Sequence, residues 1–140
     1  MTARNTDGTT TLDGVLDATI ALKAVTGAAS TVSLPTGATG VSATIDCTTS
    51  TLRGFTVPAT WTTAALTFSI SYDNSTFGPY YDTYGVEYTI PSTVMAQPGY
   101  QVILPLADFI GIPYVRLRSG TKATPVSQAS DRTIAILKSA

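Results

Sequence analysis

A strict alternation of side chains between residues 66 and 72 constrains the fold of this chain more than any other feature. Four apolar side chains alternate there with three small hydroxyl side chains: Leu66, Phe68, Ile70 and Tyr72 on one side, and Thr67, Ser69 and Ser71 on the other. Neighbouring side chains of a β-strand point to opposite faces of its sheet, so a period of two is typical of a strand. The pattern predicts a strand with the apolar residues on a buried face and the hydroxyl residues on a wetter face.

A turn and a second alternating run follow this strand. Residues 73–75 (Asp-Asn-Ser) favour a turn, because their side chains hydrogen-bond to the local backbone and Asn tolerates left-handed geometry. An aromatic-rich stretch at residues 77–84 comes next, and Val86, Tyr88 and Ile90 then resume the alternation. We expect two antiparallel strands joined by a long, aromatic-rich loop.

Apolar runs of similar length recur along the rest of the chain. They lie at residues 15–24, 29–34, 41–47, 52–57, 100–104, 114–118 and 133–137. The first of these runs also fits a helix, because Leu16, Ile20 and Ala24 are four residues apart, but its uninterrupted period of two favours a strand. A β-bulge is expected at Gly54, and Cys47 is expected to be a small core residue of an alternating run.

Together these runs predict an all-β fold. Roughly nine short strands, with turn signals about every eight to twelve residues and helix confined to one turn at residues 106–110, are typical of a β-sandwich. Long connections between paired strands favour a jelly-roll-like antiparallel β-sandwich. Residues 1–14 are polar and predict a flexible N-terminal arm, and residues 15–140 are long enough for one sandwich domain.

Charge is scarce in this chain. Charged residues make up 12% of it, about half of the usual fraction. The net charge of −1 and the pI near 5.0 give no electrostatic basis for binding nucleic acid. No stretch approaches the roughly 18 apolar residues of a membrane span, and the polar N-terminus lacks the apolar core of a secretory signal, so we expect a chain made in the cytoplasm. Its threonine, serine and glycine predict a surface suited to extended contacts with protein or with sugar.

The residue types that usually carry catalysis are scarce as well. The sequence contains no histidine and one cysteine, which excludes structural zinc sites and a Cys–His nucleophile. Two weaker patterns remain. The carboxylates for glycoside hydrolysis would be Asp73, Asp82, Glu87 and Asp108, and the oxygen ligands for calcium would be Asp73, Asn74, Thr76 and Asp82. Ordinary turn chemistry explains both sets of residues. We therefore expect no catalytic activity, no bound metal and no cofactor.

Five residues are candidates for an interface or for ligand contacts: Tyr80, Tyr81, Tyr84, Arg116 and Arg118. The three tyrosines lie in the aromatic-rich loop and can form an exposed platform. The two arginines are two positions apart on one predicted strand, so they point to the same side of it. They can bind an acidic partner or, more simply, pair with Glu87 or Asp108 within the chain or across a subunit interface.

Five segments of the C-terminal half form a pattern through their order and spacing along the chain. They are residues 66–77 (LTFSISYDNSTF), 104–111 (LPLADFIG), 114–121 (YVRLRSGT), 125–126 (PV) and 129–134 (ASDRTI). This arrangement resembles virion structural proteins of tailed bacteriophages. The resemblance implies a decoration (cement) or head-fibre-base protein on the outer capsid surface, with the major capsid protein as its partner and no activity of its own. The scarcity of charge favours an oligomer. Decoration proteins of phage heads often sit at three-fold positions between capsomers, so the resemblance implies a trimer.

An alternative resemblance involves the same strand and turn. Residues 66–77 and the run at 114–118 are also similar to discoidin-like carbohydrate-binding jelly rolls, which implies a glycan-binding module of a fibre or a secreted enzyme. Those modules usually carry Asp-Gly and a tryptophan at this turn, where this chain has Asp73, Asn74 and Phe77. The departure weakens the sugar-binding interpretation more than it weakens the sandwich fold.

Overall fold

Strands dominate the part of the chain that the structure describes, which comprises residues 27–37 and 40–140 of a computed structural model. The nine strands within these residues are β1 (Gly27–Leu34), β2 (Ile45–Asp46), β3 (Thr51–Thr56), β4 (Leu66–Ser71), β5 (Gly78–Pro79), β6 (Thr89–Ile90), β7 (Gln101–Ile103), β8 (Tyr114–Ser119) and β9 (Arg132–Ser139). Two single-turn helices accompany them, α1 (Ser92–Met95) and α2 (Leu106–Phe109). The predicted all-β fold is confirmed.

The strands form two antiparallel sheets. The first sheet has the order β1-β9-β3-β7, and the second has the order β2-β8-β4-β5, with β6 also paired to β4. From β1 to β4, and again from β6 to β9, each successive strand lies in the other sheet. These crossings stack the two sheets face to face and confirm the predicted antiparallel sandwich. The jelly-roll connectivity within this sandwich stays a prediction.

The core lies between the inner faces of the two sheets. Its strand residues are Val32, Leu34, Leu52, Phe55, Ile134 and Ile136 from the first sheet, and Ile45, Leu66, Phe68, Ile90, Val115 and Leu117 from the second. Cys47 is buried against them, and burial raises the pKa of its thiol. Cys47 is therefore the small core residue that its alternating run predicts.

A buried glutamine ties two long connections to the end of the sandwich. Gln128 is 1% exposed, and its side-chain amide donates to the carbonyl oxygen of Thr62 (3.1 Å) and to the hydroxyl of Ser119 (2.7 Å). Its side-chain oxygen accepts from the amide of Thr62 (2.7 Å) and from Nε of Arg132 (3.0 Å). Each polar atom of the buried side chain is satisfied, so these bonds hold the connections without an unpaired group.

The second face of β4 is buried, which contradicts the prediction of a wetter face. Its three hydroxyl residues are at most 3% exposed: Thr67, Ser69 and Ser71. The Thr67 hydroxyl donates to the carbonyl oxygen of Gly120 (2.7 Å), and the Ser69 hydroxyl to that of Gly78 (3.3 Å). These bonds offset the cost of burying hydroxyl groups, so connections of the second sheet can lie over a polar face. Tyr72 is instead 82% exposed, because the strand ends one residue earlier.

The run at residues 41–47 forms a strand only at its end, in β2. Ser42 is buried and Ala43 exposed, the reverse of the predicted alternation. The amide of Ser42 donates to the carbonyl oxygen of Leu117 (2.8 Å), and its hydroxyl accepts from the Leu117 amide (2.9 Å). Hydrogen bonding to β8 therefore turns a polar side chain inward here, and the predicted alternation of this run is wrong at these two positions.

A helical turn, α1, lies at Ser92–Met95, outside the one turn at residues 106–110 to which the sequence confines helix. The amides of Val94 and Met95 donate to the carbonyl oxygen of Pro91 (3.0 and 3.2 Å), and Met95 is buried in the core. The prediction of helix at residues 106–110 alone is therefore incomplete. The predicted strand at 15–24 and the predicted arm at 1–14 lie outside the described residues, and the division into an arm and a domain stays a prediction.

The predicted bulge at Gly54 is confirmed. The register between β3 and β9 shifts between Leu52 and Gly54, so Arg53 is the extra residue of β3. A Cβ atom at Gly54 would lie 2.5 Å from the carbonyl oxygen of Val102 on the neighbouring β7. Only glycine allows β7 to approach β3 this closely.

Two substitutions on β4 test the burial of both of its faces. Phe68→Ala should lower the free energy of unfolding by about 3–5 kcal/mol, because it empties a fully buried ring position. Thr67→Ala should lower it by about 1–3 kcal/mol, because it removes the hydroxyl that pairs the buried carbonyl of Gly120. Thr133→Ala, the same change at an exposed strand position, is the control and should stay within about 0.5 kcal/mol. Equal urea midpoints for the two threonine variants would contradict the burial of the second face.

Candidate functional site

Four aromatic rings form one cluster at the second sheet: Phe68, Tyr80, Tyr88 and Phe109. The rings of Tyr80 and Tyr88 stack, with centroids 5.3 Å apart and 9° between their planes. Phe109 meets them edge-on, at 5.4 and 5.3 Å. The Tyr88 hydroxyl donates to Oδ2 of Asp108 (2.9 Å), and the Tyr80 hydroxyl donates to the backbone oxygen of the same residue. Both hydroxyl groups of these partly buried tyrosines are therefore paired within the chain.

Burial changes the acidity of the stacked tyrosine pair. It raises the pKa of Tyr88 well above the ordinary value of 10.0, and the hydrogen bond to Asp108 raises it further. Burial also raises the pKa of Tyr80, and the neighbouring charge of Asp108 adds to the effect. Tyr80 is thus partly buried in the cluster, and its role as a contact stays a prediction. Tyr81 and Tyr84 are 44% and 90% exposed, and their role as contacts stays a prediction.

The two predicted arginines are engaged within the chain. The guanidinium carbon of Arg116 lies 3.7 Å from the ring centroid of Phe77, and its Nε donates to the hydroxyl of Thr44 (3.0 Å). Nη1 of Arg118 lies 3.6 Å from Oε2 of Glu87, and the two side chains are 13% and 11% exposed. This separation is too long for a hydrogen bond, so the pair is an electrostatic contact. A further role of these arginines in an interface stays a prediction.

The aspartates of the aromatic-rich loop cap their own turns. Oδ1 of Asp73 accepts from the hydroxyl of Ser71 and from the amides of Ser75 and Thr76, each at 2.9 Å. The backbone hydrogen bonds lower the pKa of Asp73 below its ordinary value. Asp82 accepts two amide bonds in the same way across the turn at residues 82–86. Within residues 27–37 and 40–140, no three side chains of His, Cys, Asp or Glu are grouped so that they could hold a metal ion.

A cleft of about 350 Å³ opens where β4 leaves the second sheet. It is lined by residues 70–73 and 76–79, and we call it the β4–β5 cleft. The ring of Tyr72 stands at this cleft with 82% of the residue exposed. Asp73 is the one lining residue with an ionisable acid or base other than that tyrosine. The sequence prediction missed Tyr72, because the alternation assigns it to the buried face of a strand that ends before it.

The outer face of the first sheet carries no charged side chain at its ladder-paired positions. We call it the uncharged face, and its residues are Ala29, Thr31, Ser33, Gly54, Thr56, Gln101, Ile103, Thr133, Ala135 and Leu137. Along β3, the charge nearest to it is Arg53 of the bulge. Two shallow grooves of about 170 and 450 Å³ lie along this face. The signal for this face in the sequence was the alternation at residues 133–137, where Thr133, Ala135 and Leu137 share one side.

Large apolar side chains are exposed along one edge of the uncharged face, and one of them, Ile103, also belongs to that face. Tyr100, Ile103, Leu106 and Ile110 are 54%, 64%, 44% and 61% exposed, and we call these four residues the apolar edge. They lie before, within and after β7, which is the terminal strand of the first sheet. Clusters of exposed apolar side chains often mark sites of interaction.

Comparisons with models of known protein families, with curated proteins and with solved structures give no match to this chain. Neither of the two helices described is long and apolar enough to cross a membrane. The functional interpretation therefore depends on the residues and surfaces of the chain itself.

The partly buried tyrosine pair gives the protein a testable dependence on pH. The folded protein holds the Tyr88 proton more tightly than the unfolded chain does, so the free energy of unfolding should fall as pH rises above the unfolded-state pKa of about 10. The phenolate absorbance should accordingly include a component that appears only well above pH 10, because the pKa values of Tyr88 and Tyr80 are raised. Tyr88→Phe should flatten the fall in stability above that pH, whereas Tyr84→Phe, at a 90% exposed position, should leave it unchanged. Identical slopes for both variants would contradict the role of Tyr88.

Proposed function

We propose that this chain is a phage virion structural protein that binds the outside of the capsid and stabilises it, without catalytic activity of its own. The observation that supports it most directly is the uncharged face, a side of the sandwich whose paired positions are small, hydroxyl-bearing or apolar. The resemblance of residues 66–134 to virion proteins of tailed bacteriophages supplies the context of a capsid.

The uncharged face is suited to contact with another protein. Water must leave a surface that becomes an interface, and removing it from a charged side chain costs far more than removing it from a methyl or hydroxyl group. The outer face of the second sheet contains Arg116 and Arg118 at the positions paired with Ser69 and Thr67. We therefore assign the capsid contact to the first sheet and its apolar edge.

The partner in this proposal is the major capsid protein, and the assembly is a homotrimer at a three-fold position of the capsid surface. Closed symmetry allows one patch to be used in each subunit contact. The apolar edge lies at the end of the first sheet, where a contact between subunits can continue the contact with the capsid. Such a protein stabilises the capsid by mass action, because it binds the assembled lattice and not the free capsid subunits.

Reconstitution of particles tests the proposal. Purified virions should contain the chain, and particles stripped of it should open at a lower temperature and recover when it is added back. Ala135→Arg places a charge in the centre of the uncharged face and should weaken binding to stripped particles by about tenfold or more. Ala123→Arg, the same change at an exposed position of the connection between β8 and β9, is the matched control and should bind like the wild type.

Three outcomes would contradict parts of this proposal. Absence of the chain from purified virions, measured by mass spectrometry, would contradict the capsid function. Equal binding of the two arginine variants, each with a wild-type circular dichroism spectrum, would contradict the use of the uncharged face. A mass near 14.6 kDa by light scattering would contradict the trimer.

A further inference from the structure

We propose that the β4–β5 cleft is a binding site for a neutral saccharide, with the ring of Tyr72 stacking on the sugar and the carboxylate of Asp73 accepting its hydroxyl groups. The cleft lies in the second sheet and the uncharged face lies in the first. The proposal therefore does not depend on the capsid function.

The size and walls of the cleft suit a small ligand. Its volume of about 350 Å³ falls within the range of small-molecule sites, roughly 300–1,000 Å³. Ile70, Phe77 and Pro79 supply apolar wall, and polar groups converge on it from the turn after β4. An apolar concavity with a few fixed polar groups is the usual form of such sites.

The exposed ring of Tyr72 is the first half of the recognition. With 82% of the residue exposed, Tyr72 is left out of the core and has no packing role that would explain a large aromatic side chain at this position. The face of an aromatic ring is electronegative, so it attracts the electropositive C–H groups on the flat side of a pyranose ring. The ring adds contact area at a small entropic cost, because only two torsion angles are fixed on binding.

The carboxylate of Asp73 is the second half. Its Oδ1 accepts three hydrogen bonds from the turn, which fix the plane of the group. Within the described part of the chain, Oδ2 accepts none, so it is available to a ligand. A fixed carboxylate oxygen accepts strong hydrogen bonds from neighbouring hydroxyl groups, and its fixed position reduces the cost of ordering it on binding.

The charges around the cleft favour a neutral polyhydroxylated ligand. An anion would be repelled by Asp73, and the guanidinium of Arg116 is held over the Phe77 ring, with its Nε donating to Thr44. A lysine side chain of a partner would pair with the carboxylate of Asp73, but only its short alkyl chain would contact the Tyr72 ring and the apolar walls of the cleft. Sugar uses the ring, the walls and the carboxylate together.

Titration of the isotope-labelled full chain by heteronuclear NMR tests the proposal. The probes are methyl α-mannopyranoside, methyl β-glucopyranoside and methyl β-galactopyranoside, and a Gly-Lys-Gly peptide with blocked ends represents the lysine ligand. At least one sugar should shift the amide signals of residues 70–79, with a dissociation constant of about 1–10 mM. The shifts should persist at high salt, because no charge pair forms, whereas binding of the lysine peptide would weaken.

Substitutions at the exposed ring separate stacking from folding. Tyr72→Phe should keep the affinity within about threefold, whereas Tyr72→Leu should weaken it by about tenfold or more, because only the former retains an aromatic face. Tyr84→Leu, at an exposed tyrosine outside the cleft, is the matched control and should bind like the wild type. The unperturbed spectrum of each variant reports whether it is folded.

The result that overturns the proposal is equally specific. No shift with any of the three sugars, shifts that survive Tyr72→Leu, or shifts with the lysine peptide alone would each exclude a saccharide site at this cleft. None of these results bears on the binding of the chain to particles, so failure of this proposal and failure of the capsid function are separate outcomes.

Discussion

Burial of β4 on both faces is the constraint on which the second sheet depends. On one face Leu66 and Phe68 fill the core, and a polar residue on the other face can be buried only if its hydroxyl finds a partner. Thr67 meets that condition with the carbonyl oxygen of Gly120, and Ser69 meets it with that of Gly78. The connection after β8 and the first residue of β5 are therefore held against the sheet by the hydroxyl groups of β4. The turn that carries Asp73 is fixed as well, because the hydroxyl of Ser71 at the end of β4 donates to Oδ1 of Asp73.

The two sheets use their polar side chains differently. In the second sheet the charged groups are engaged within the chain, as Arg118 with Glu87 and Arg116 with Phe77 show. The Arg118–Glu87 contact joins opposite charges, whereas the neutral ring of Phe77 leaves the charge of Arg116 uncompensated. The paired positions of the uncharged face have no charged side chain, so a contact there removes water only from small, hydroxyl-bearing or apolar groups.

The sequence predicted the elements of this fold better than the surfaces that surround them. Alternation identified β4, β8 and β9, because a period of two is a property of the strand itself, and it placed Leu66 and Phe68 correctly in the core. The bulge at Gly54 followed from the chemistry of one residue. Alternation cannot show whether the second face of a strand is covered by other parts of the chain, since that depends on distant groups such as the carbonyl oxygen of Gly120. The pattern therefore predicts a solvated Thr67, which is in fact buried. The same limit applies to the tyrosines of the aromatic-rich loop. The sequence does not distinguish Tyr80 from Tyr84, but Tyr80 is partly buried by stacking on Tyr88, whereas Tyr84 is 90% exposed.

The placement of the two proposed surfaces on different sheets has a consequence for affinity. A shallow cleft that holds one sugar through one aromatic ring and one carboxylate binds weakly, because a small contact cannot offset much of the entropy lost on association. A capsid that displays many copies of such a cleft, each held by the opposite side of its sandwich, would convert weak single contacts into strong attachment to a glycan-covered surface. The rigidity of the sandwich favours this effect, since the hydroxyl bonds of β4 and the turn bonds of Asp73 keep each cleft in a fixed orientation relative to the face that anchors it.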